Sequence, residues 1–244
     1  MFYTQELGPG ARAIYTTTRT PGTDFAEGRH DARAALDAAV GVRTQWVSQV
    51  HSSDVIQVRG DAPGTHGRAD ALLVNDEPSL APAVRTADCI PLLIASASGR
   101  VRVAVHAGRR GLVAGIIPRA LRAAQSLSDE VLYVALGPHI CVHCYEVSED
   151  LARETWDAHP VMRGETQWGT PALNLTALAR EQVRAAGLDL EDLPAGVDSA
   201  RWCTVENRDF FSYRRDHSAQ RCASLVIEGH AESLPTRGTK SAIA

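Results

Sequence analysis

Several brief apolar runs, each bounded by glycine, proline, serine or aspartate, constrain the fold of this chain most strongly. Runs of this length and composition are typical of β-strands that are buried on both faces. Alternating β-branched and aromatic residues extend the pattern to longer segments. The predicted strands occupy residues 46–58, 71–74, 83–86, 91–95, 101–106, 130–136, 204–214 and 223–228.

Apolar residues at helical spacing predict four helices among these strands, at residues 33–40, 112–127, 148–157 and 175–186. Asn174 is a suitable N-cap for the last helix, and Gly187 is a suitable end. Helices and strands are mixed rather than strictly alternating, which favours an α+β fold with mixed sheets flanked by helices. We expect one catalytic domain over residues 1–231 and a disordered tail over residues 232–244.

Composition excludes several classes of partner. The net charge is −4, so no strong field draws the chain toward nucleic acid or an anionic membrane. No leader segment and no apolar run of the ~20 residues needed to cross a bilayer is evident, so we expect a cytoplasmic protein. The chain has five cysteines, an odd number that disfavours a disulfide scaffold.

Three potential metal ligands lie in or just after predicted strands: His51, Cys89 and His106. They are far apart in the sequence, so only the fold could bring them together. Two imidazoles and one thiolate suit zinc, and three protein ligands leave a fourth position for water or substrate. Such an open site indicates catalysis, and Asp88 could orient a histidine or accept a proton there.

The residues alone leave other interpretations open. Cys89 could be the nucleophile of a hydrolase or amidase, with His106 or His51 as the base. Zinc could also be purely structural, although structural sites usually have four protein ligands. A copper oxidase is less favoured because blue-copper sites usually add a weak axial methionine, and neither Met1 nor Met162 lies near a motif.

Six ordered motifs give the chain a specific resemblance to a known family. They are QVH (49–51), ADALLV (69–74), TADCIPLLI (86–94), VAVHAGRRGL (103–112), LGPHICVHCYEV (136–147) and FFSYRRD (210–216). The chain resembles the YfiH/laccase-domain family, formerly described as multicopper polyphenol oxidases. The resemblance implies a layered fold similar to that of deamidating toxins. It also implies zinc, rather than copper, bound by His51, Cys89 and His106.

The resemblance further implies a purine nucleoside phosphorylase that also deaminates adenosine. Its partners would be phosphate and a nucleoside such as adenosine, inosine, guanosine or methylthioadenosine, with the protein a monomer or homodimer. We expect phosphate contacts from Arg109, Arg110 or Arg214, because guanidinium binds phosphate in a bidentate manner. Arg109 stands where the family usually has tryptophan, so the nucleoside preference does not follow from the resemblance.

A second group of potential ligands lies in the fifth motif: His139, Cys141, His143 and Cys144. The two cysteines have the CxxC spacing of metal and redox sites. Members of the family that the chain resembles often carry cysteines here without a known second metal. We therefore expect these residues to serve packing rather than metal or redox chemistry.

Overall fold

Two β-sheets form the centre of the structure, a computed structural model that describes residues 2–58, 64–194, 197–198 and 201–229. In chain order the strands are β1 Phe2–Glu6, β2 Ala11–Thr16, β3 Arg43–Ser48, β4 Val55–Gln57, β5 Thr65–Arg68, β6 Ala71–Asn75, β7 Leu80–Thr86, β8 Ile90–Ser96, β9 Val101–Ala107, β10 Leu132–Leu136, β11 Arg163–Glu165, β12 Pro171–Leu173 and β13 Cys222–Glu228. The six-stranded sheet has the order β1-β2-β13-β7-β3-β5, and the five-stranded sheet has the order β10-β8-β9-β6-β4. Strands β11 and β12 form a separate hairpin.

Both sheets are mixed. β3 pairs in parallel with β5 and β7, and β4 pairs in parallel with β6, whereas the other described pairs of the two sheets are antiparallel. Apolar side chains of the two sheets meet between them, among them Tyr15 and Val84 from the first sheet and Leu93 and Ala104 from the second. This buried layer makes the two sheets one unit.

Helices cover the outer faces of the sheets. The α-helices are α1 His30–Val40, α2 Arg109–Val113, α3 Ile116–Gln125, α4 Glu149–Ala158, α5 Leu175–Ala185 and α6 Tyr213–Asp216. Helix α1 packs on the six-stranded sheet, and α3 and α5 share a core with the five-stranded sheet. The predicted α+β class, with mixed sheets flanked by helices, is therefore confirmed. So is the cap of α5, where the Asn174 side chain accepts the Ala177 N–H at 3.0 Å.

Three connections pass from the six-stranded sheet to the five-stranded sheet: β3 to β4, β5 to β6 and β7 to β8. The loops between these strands are short where β5 meets β6 and where β7 meets β8. Their residues are therefore held close to the strand ends. These crossings place polar residues from distant parts of the sequence at one junction between the sheets.

Three predicted elements differ from the structure. The predicted strand 46–58 is interrupted after Ser48, because the chain turns at His51 with φ +60° and resumes as β4 at Val55. The predicted helix 112–127 is divided into α2 and α3 by Gly115, which has φ +80°. Pro118 is tolerated because it lies in the first turn of α3, where its missing N–H needs no partner.

The predicted strand 204–214 is irregular and ends in the short helix α6. Ser212 caps that helix by accepting the Arg215 N–H at 3.1 Å. The side chains of Phe210 and Phe211 pack between the sheets, so tertiary burial overrides the local β-propensity. The predicted tail, 232–244, lies outside the described residues. Within the described part, no helix combines the length and apolar character required to cross a membrane.

Candidate metal centre

The side chains of His51, Cys89 and His106 converge at the junction of the two sheets. His51 lies in the β3–β4 connection, Cys89 immediately precedes β8, and His106 is near the end of β9. One potential ligand atom from each of the three lies within 4.8 Å of the other two. Cys89 Sγ is 3.9 Å from His51 Nε2, and the two imidazole centroids are 4.8 Å apart. The fold thus brings together the three residues named from the sequence.

Asp70, in the β5–β6 connection, fixes two of these residues at once. Its fully buried carboxylate lies 2.7 Å from Nδ1 of His106. The same carboxylate accepts three successive backbone N–H groups, from Val50 at 3.2 Å, His51 at 2.9 Å and Ser52 at 2.6 Å. These bonds hold His51 in its left-handed conformation, φ +60°. With Nδ1 of His106 bound to Asp70, Nε2 is the ring nitrogen available to a metal.

Asp88 holds the loop before Cys89 rather than a histidine. Its Oδ1 accepts the Thr204 hydroxyl at 2.6 Å, and its Oδ2 accepts the Arg214 backbone N–H at 2.6 Å. Its backbone has φ +92°, and its carbonyl accepts the Ile140 N–H at 2.9 Å. The orienting contact expected of Asp88 is therefore made by Asp70. Backbone held in such a sparsely populated conformation is common where the surrounding structure positions functional groups.

The absence of a side chain at Gly108 leaves room for the His51 and Cys89 side chains. A Cβ at this position would lie 2.6 Å from Cδ2 of His51 and 3.1 Å from Sγ of Cys89. Its φ of −68° is accessible to any residue, so close approach rather than backbone freedom requires glycine here. Close packing against His51 and Cys89 therefore explains why this position, the last of His106-Ala107-Gly108, is glycine.

The three groups polarise one another. Burial opposes ionisation of the Cys89 thiol, but the neighbouring His106 and His51 lower its pKa to about 6. Burial also disfavours the His106 cation, but Cys89 and Asp70 raise its pKa to about 9. Burial also opposes ionisation of the Asp70 carboxyl, but hydrogen bonds from His106 and Ser52 lower its pKa to about 2. Without a metal, the arrangement therefore favours a thiolate beside an imidazolium and a carboxylate.

A cavity of about 590 Å³ opens onto the cluster. This volume lies within the range of ~300–1,000 Å³ usual for small-molecule sites. His51, Cys89 and His106 line it together with aromatic, acidic and further polar residues: Glu27, Gln49, Asp88, Tyr145, Tyr213 and His217. Another cleft, of about 610 Å³, is bordered by residues 22–24 and 28–32, apart from the cluster.

The predicted arginines are placed differently from one another. Arg214 lines the cavity, with its guanidinium 5.4 Å from the Tyr145 ring centroid and Nη1 donating to the Glu146 carbonyl at 2.8 Å. Arg109 is not part of the lining but interacts with the Tyr145 side chain. Arg110 is exposed on α2 and does not border the cavity.

Two further arginines that the sequence did not single out as phosphate contacts, Arg85 and Arg221, also line the cavity. The Arg85 guanidinium lies 4.5 Å from the Trp46 ring centroid and donates to the Val47 carbonyl at 3.0 Å. Arg221 donates to the Ser218 and Gln220 carbonyls at 3.1 and 2.8 Å. Neither residue lies within the six motifs that carry the family resemblance.

The donor set fits a transition metal. Thiolate and imidazole are both good ligands for zinc, and the same pair also suits copper. The low pKa of Cys89 provides the thiolate form required for ligation, and Asp70 supplies the carboxylate–histidine contact usual at metal sites. The three protein ligands border the cavity, so a small molecule could reach an ion held by them.

Curated relatives cover most of the chain. A protein from Streptomyces coelicolor named purine nucleoside phosphorylase is 43% identical over 190 residues, which are 75% of this chain and 74% of the relative. The Escherichia coli purine nucleoside phosphorylase YfiH is 35% identical, over 74% of this chain and 72% of the relative.

Solved structures match the fold over nearly its whole length. A Neisseria meningitidis protein matches with a TM-score of 0.73 and 28% identity, covering 94% of this chain and 99% of that protein. YlmD from Geobacillus stearothermophilus matches with a TM-score of 0.72 and 25% identity, covering 93% and 99%. A family model described as multi-copper polyphenol oxidoreductase laccase matches residues 22–228. The chain therefore belongs to this YfiH/laccase-domain family.

Proposed function

We propose that this chain is a zinc-dependent purine nucleoside phosphorylase that also deaminates adenosine. One observation carries the proposal: ligand atoms of His51, Cys89 and His106 lie within 4.8 Å of one another on the wall of a cavity of about 590 Å³. The names of the relatives, purine nucleoside phosphorylase, support the reaction class. An open three-ligand site favours a catalytic over a structural role.

The proposed metal ligands are Nε2 of His51, Sγ of Cys89 and Nε2 of His106. Bound zinc supplies a Lewis acid and lowers the pKa of water that it coordinates. The protein's part is to hold this ligand set rigid, and Asp70 does so by binding both His106 and the loop that carries His51. Asp88, tied to Thr204 and Arg214, holds the segment that carries Cys89.

Phosphorolysis requires an anion site, and we propose Arg214 as its principal residue. Arg214 is the only one of the three predicted arginines that borders the cavity among the described residues. A guanidinium has five N–H donors, so its single bond to the Glu146 carbonyl leaves donors for phosphate. Arg221 borders the same cavity and could share the anion, whereas Arg109 would act through Tyr145. The exposed position of Arg110 gives it no such role.

The nucleoside would occupy the part of the cavity bordered by Tyr145 and Tyr213. Aromatic side chains can stack on a purine ring, a contact worth ~1–3 kcal/mol per base. The exposed fraction of Tyr213 is 54%, which leaves much of its ring free to contact a ligand. Glu27 and Asp88 are the acidic residues that line this cavity.

The direct test is chromatography of adenosine incubated with zinc-loaded protein, with and without phosphate. We expect adenine and ribose-1-phosphate only with phosphate, and inosine in both mixtures. Cys89→Ala should abolish all three products, whereas Cys222→Ala, which alters a buried cysteine outside the cluster, should retain them. Phosphate-independent adenine release would exclude phosphorolysis, absence of inosine would exclude deamination, and absence of all products would exclude the proposed function.

A Cys–His hydrolase is the second candidate, supported by the lowered pKa of Cys89 beside His106. A metal ligand cannot act simultaneously as a free thiolate nucleophile, so metal dependence separates the two functions. Under our proposal, chelation removes activity and zinc restores it. A hydrolase would show the reverse, with activity gained on chelation. Oxidation of a phenol by copper-loaded protein that does not act on adenosine would favour the oxidase suggested by the family description.

A further inference from the structure

A second cluster of potential ligands lies outside the candidate centre. Cys141, Cys144 and Cys203 bring their sulfur atoms together with a carboxylate oxygen of Glu206, all within 4.8 Å of one another. Cys144 and Cys203 are buried, Cys141 is half-buried, and Glu206 is exposed. The sequence analysis predicted packing for the CxxC pair, and nothing in the sequence indicated that Cys203 and Glu206 join it.

The four residues form two pairs with the same spacing, Cys141 with Cys144 and Cys203 with Glu206. Cys141 and Cys144 bound a single 3-10 turn, in which the Cys144 N–H bonds to the Cys141 carbonyl at 3.1 Å. Two ligand pairs at i and i+3, supplied by separate segments, are the usual arrangement of a closed structural zinc site. A tetrahedral site with Zn–S bonds of ~2.3 Å has sulfur–sulfur edges of roughly 3.8 Å, so a small contraction of the cluster suffices.

One local hydrogen bond favours the thiolate form of Cys203, and the hydrogen bonds of His139 restrict the ligand set. The backbone N–H of Cys141 donates to Sγ of Cys203 at 3.4 Å, and Cys144 Sγ lies 3.6 Å from Oε1 of Glu206. His139 is not a ligand, because its two ring nitrogens bond to the Gly137 carbonyl and the Thr176 hydroxyl, both at 2.7 Å. His143 is exposed and is not part of the cluster.

We propose that Cys141, Cys144, Cys203 and Glu206 bind a second divalent ion of the zinc class in a closed, structural site. Three soft sulfur ligands and one carboxylate make four ligands, which leaves no coordination position for a substrate. The ion would join the segment that follows β10 to the segment that precedes α6. Tyr145, in the first of these segments, and Arg214, in α6 itself, line the main cavity.

The cluster is also coupled to the loop that carries Cys89. Ile140, next to Cys141, donates its N–H to the Asp88 carbonyl at 2.9 Å. Thr204, next to Cys203, donates its hydroxyl to the Asp88 carboxylate at 2.6 Å. An ion in the second site would therefore hold both partners of Asp88 and stiffen one wall of the candidate centre.

The test uses metal content rather than activity, in a background in which the first centre is removed. The His51→Ala/Cys89→Ala variant is reduced, equilibrated with zinc and freed of unbound metal. We expect about one zinc ion per chain in this variant and about two in the wild type. Adding Cys141→Ser and Cys203→Ser should reduce the content to near zero. Adding Cys222→Ser, a matched buried cysteine outside both clusters, should leave it unchanged.

Two measurements cover the case in which the double cysteine variant does not fold. Glu206→Gln changes only the exposed ligand and should weaken zinc retention against a chelator at least 10-fold, with the circular dichroism spectrum unchanged. Cobalt(II) in the same background should give a sulfur-to-metal charge-transfer band that decreases in Cys141→Ser. Absence of zinc from the reduced background variant, or zinc content unaffected by the cysteine changes, would overturn the proposal. So would a Cys141–Cys144 disulfide that persists in zinc-loaded protein. Failure of the proposed phosphorylase activity would affect none of these outcomes.

Discussion

The carboxylate of Asp70 lies 2.7 Å from Nδ1 of His106 and accepts the backbone N–H of His51 at 2.9 Å. One buried acid therefore sets the ring orientation of one candidate ligand and the backbone conformation of another. The residue lies where β5 passes into β6, at the junction crossed by the segments that carry His51 and Cys89. The fold thus provides the supporting contact together with the ligands.

Replacement of Asp70 should weaken metal binding without direct loss of a ligand. In Asp70→Asn, we expect zinc affinity to fall 10- to 100-fold, as is usual when a partner of a metal-binding histidine is altered. The physical reason is that an amide cannot provide two anionic acceptors to His106 and the N–H groups of residues 50–52. Zinc competition titration measures the effect. Asp76→Asn, which alters a half-exposed carboxylate paired with Arg100, is the control and should bind zinc like the wild type. Equal affinity in both variants would refute the role of Asp70.

Alanine at position 108 should prevent the cluster from forming. The added methyl would lie 2.6 Å from Cδ2 of His51, so the imidazole must move away from Cys89. We expect Gly108→Ala to lose most of its bound zinc, as measured by elemental analysis. Gly187→Ala is the control. It places alanine at φ +76°, a strained backbone conformation, but the added methyl has no atom within 4 Å. That strain costs ~1 kcal/mol of stability but should leave zinc content unchanged. Full zinc retention by Gly108→Ala would contradict the packing argument.

The pH dependence of Cys89 reactivity should reveal its pairing with His106 in metal-free protein. We expect alkylation of Cys89 by iodoacetamide, followed by mass spectrometry of its peptide, to rise through about pH 6, the lowered pKa of this thiol. His106→Gln should move the midpoint toward 9.0, the ordinary thiol value. Cys222 is an internal reference, because burial raises its pKa to about 12. A midpoint for Cys89 near 9 in the unaltered protein would contradict the pairing.

The pKa shifts of Cys89 and His106 both stabilise the folded protein, but with opposite dependence on pH. The pKa of Cys89 is lowered from 9.0 to about 6, so its stabilisation is complete above pH 9 and is lost as the pH falls through 6. The pKa of His106 is raised from 6.5 to about 9, so its stabilisation is complete below pH 6.5 and is lost as the pH rises through 9. Between about pH 6.5 and 9, the stabilisation gained from Cys89 as the pH rises offsets the stabilisation lost from His106. In this range, the Cys89–His106 pair should therefore contribute little to the pH dependence of the melting temperature of metal-free protein. A steep pH dependence that is present in the unaltered protein and lost in His106→Gln would contradict the coupling.

Arg214 and Arg110 form a matched pair for the anion site. Arg214 borders the cavity, whereas Arg110 is exposed on α2. Loss of a hydrogen bond to a charged group costs ~1.5–3 kcal/mol, which corresponds to a rise of roughly 10- to 150-fold in the KM for phosphate. We expect this rise in Arg214→Ala, with the phosphate-independent formation of inosine nearly unchanged, and no rise in Arg110→Ala. A phosphate KM that is unchanged in Arg214→Ala would show that Arg214 does not bind the phosphate.

Much of the ligand set could be predicted from the sequence because its motifs mark the strand ends. The apolar runs around Cys89 and His106 indicated buried strands, and the structure places both residues at the ends of such strands. The contact of Asp70 with His106 was not evident, because it depends on the pairing of β6 with β9, which brings the residue before β6 beside the end of β9. The sequence analysis instead named Asp88 to orient a histidine, because Asp88 is adjacent to Cys89. In the structure, Asp88 bonds to Thr204 and Arg214.

Long-range tertiary contacts also explain the other differences. The segment 204–214 has β-forming residues, yet Phe210 and Phe211 pack into the layer between the sheets without pairing as a strand. Cys203 directly precedes this irregular segment and Glu206 lies within it, and both approach the CxxC pair. Local patterns could not predict either result, because both depend on where the chain returns after α5. By contrast, the caps of α4 and α5 involve residues within one turn of the helix start, and such contacts follow from local sequence.

Anomalous diffraction from zinc-soaked crystals tests the central claim most directly. We predict an anomalous peak at the zinc edge within bonding distance of His51 Nε2, Cys89 Sγ and His106 Nε2, and its loss in Cys89→Ala. A fully reduced, zinc-soaked crystal with no peak among these three atoms would contradict the account.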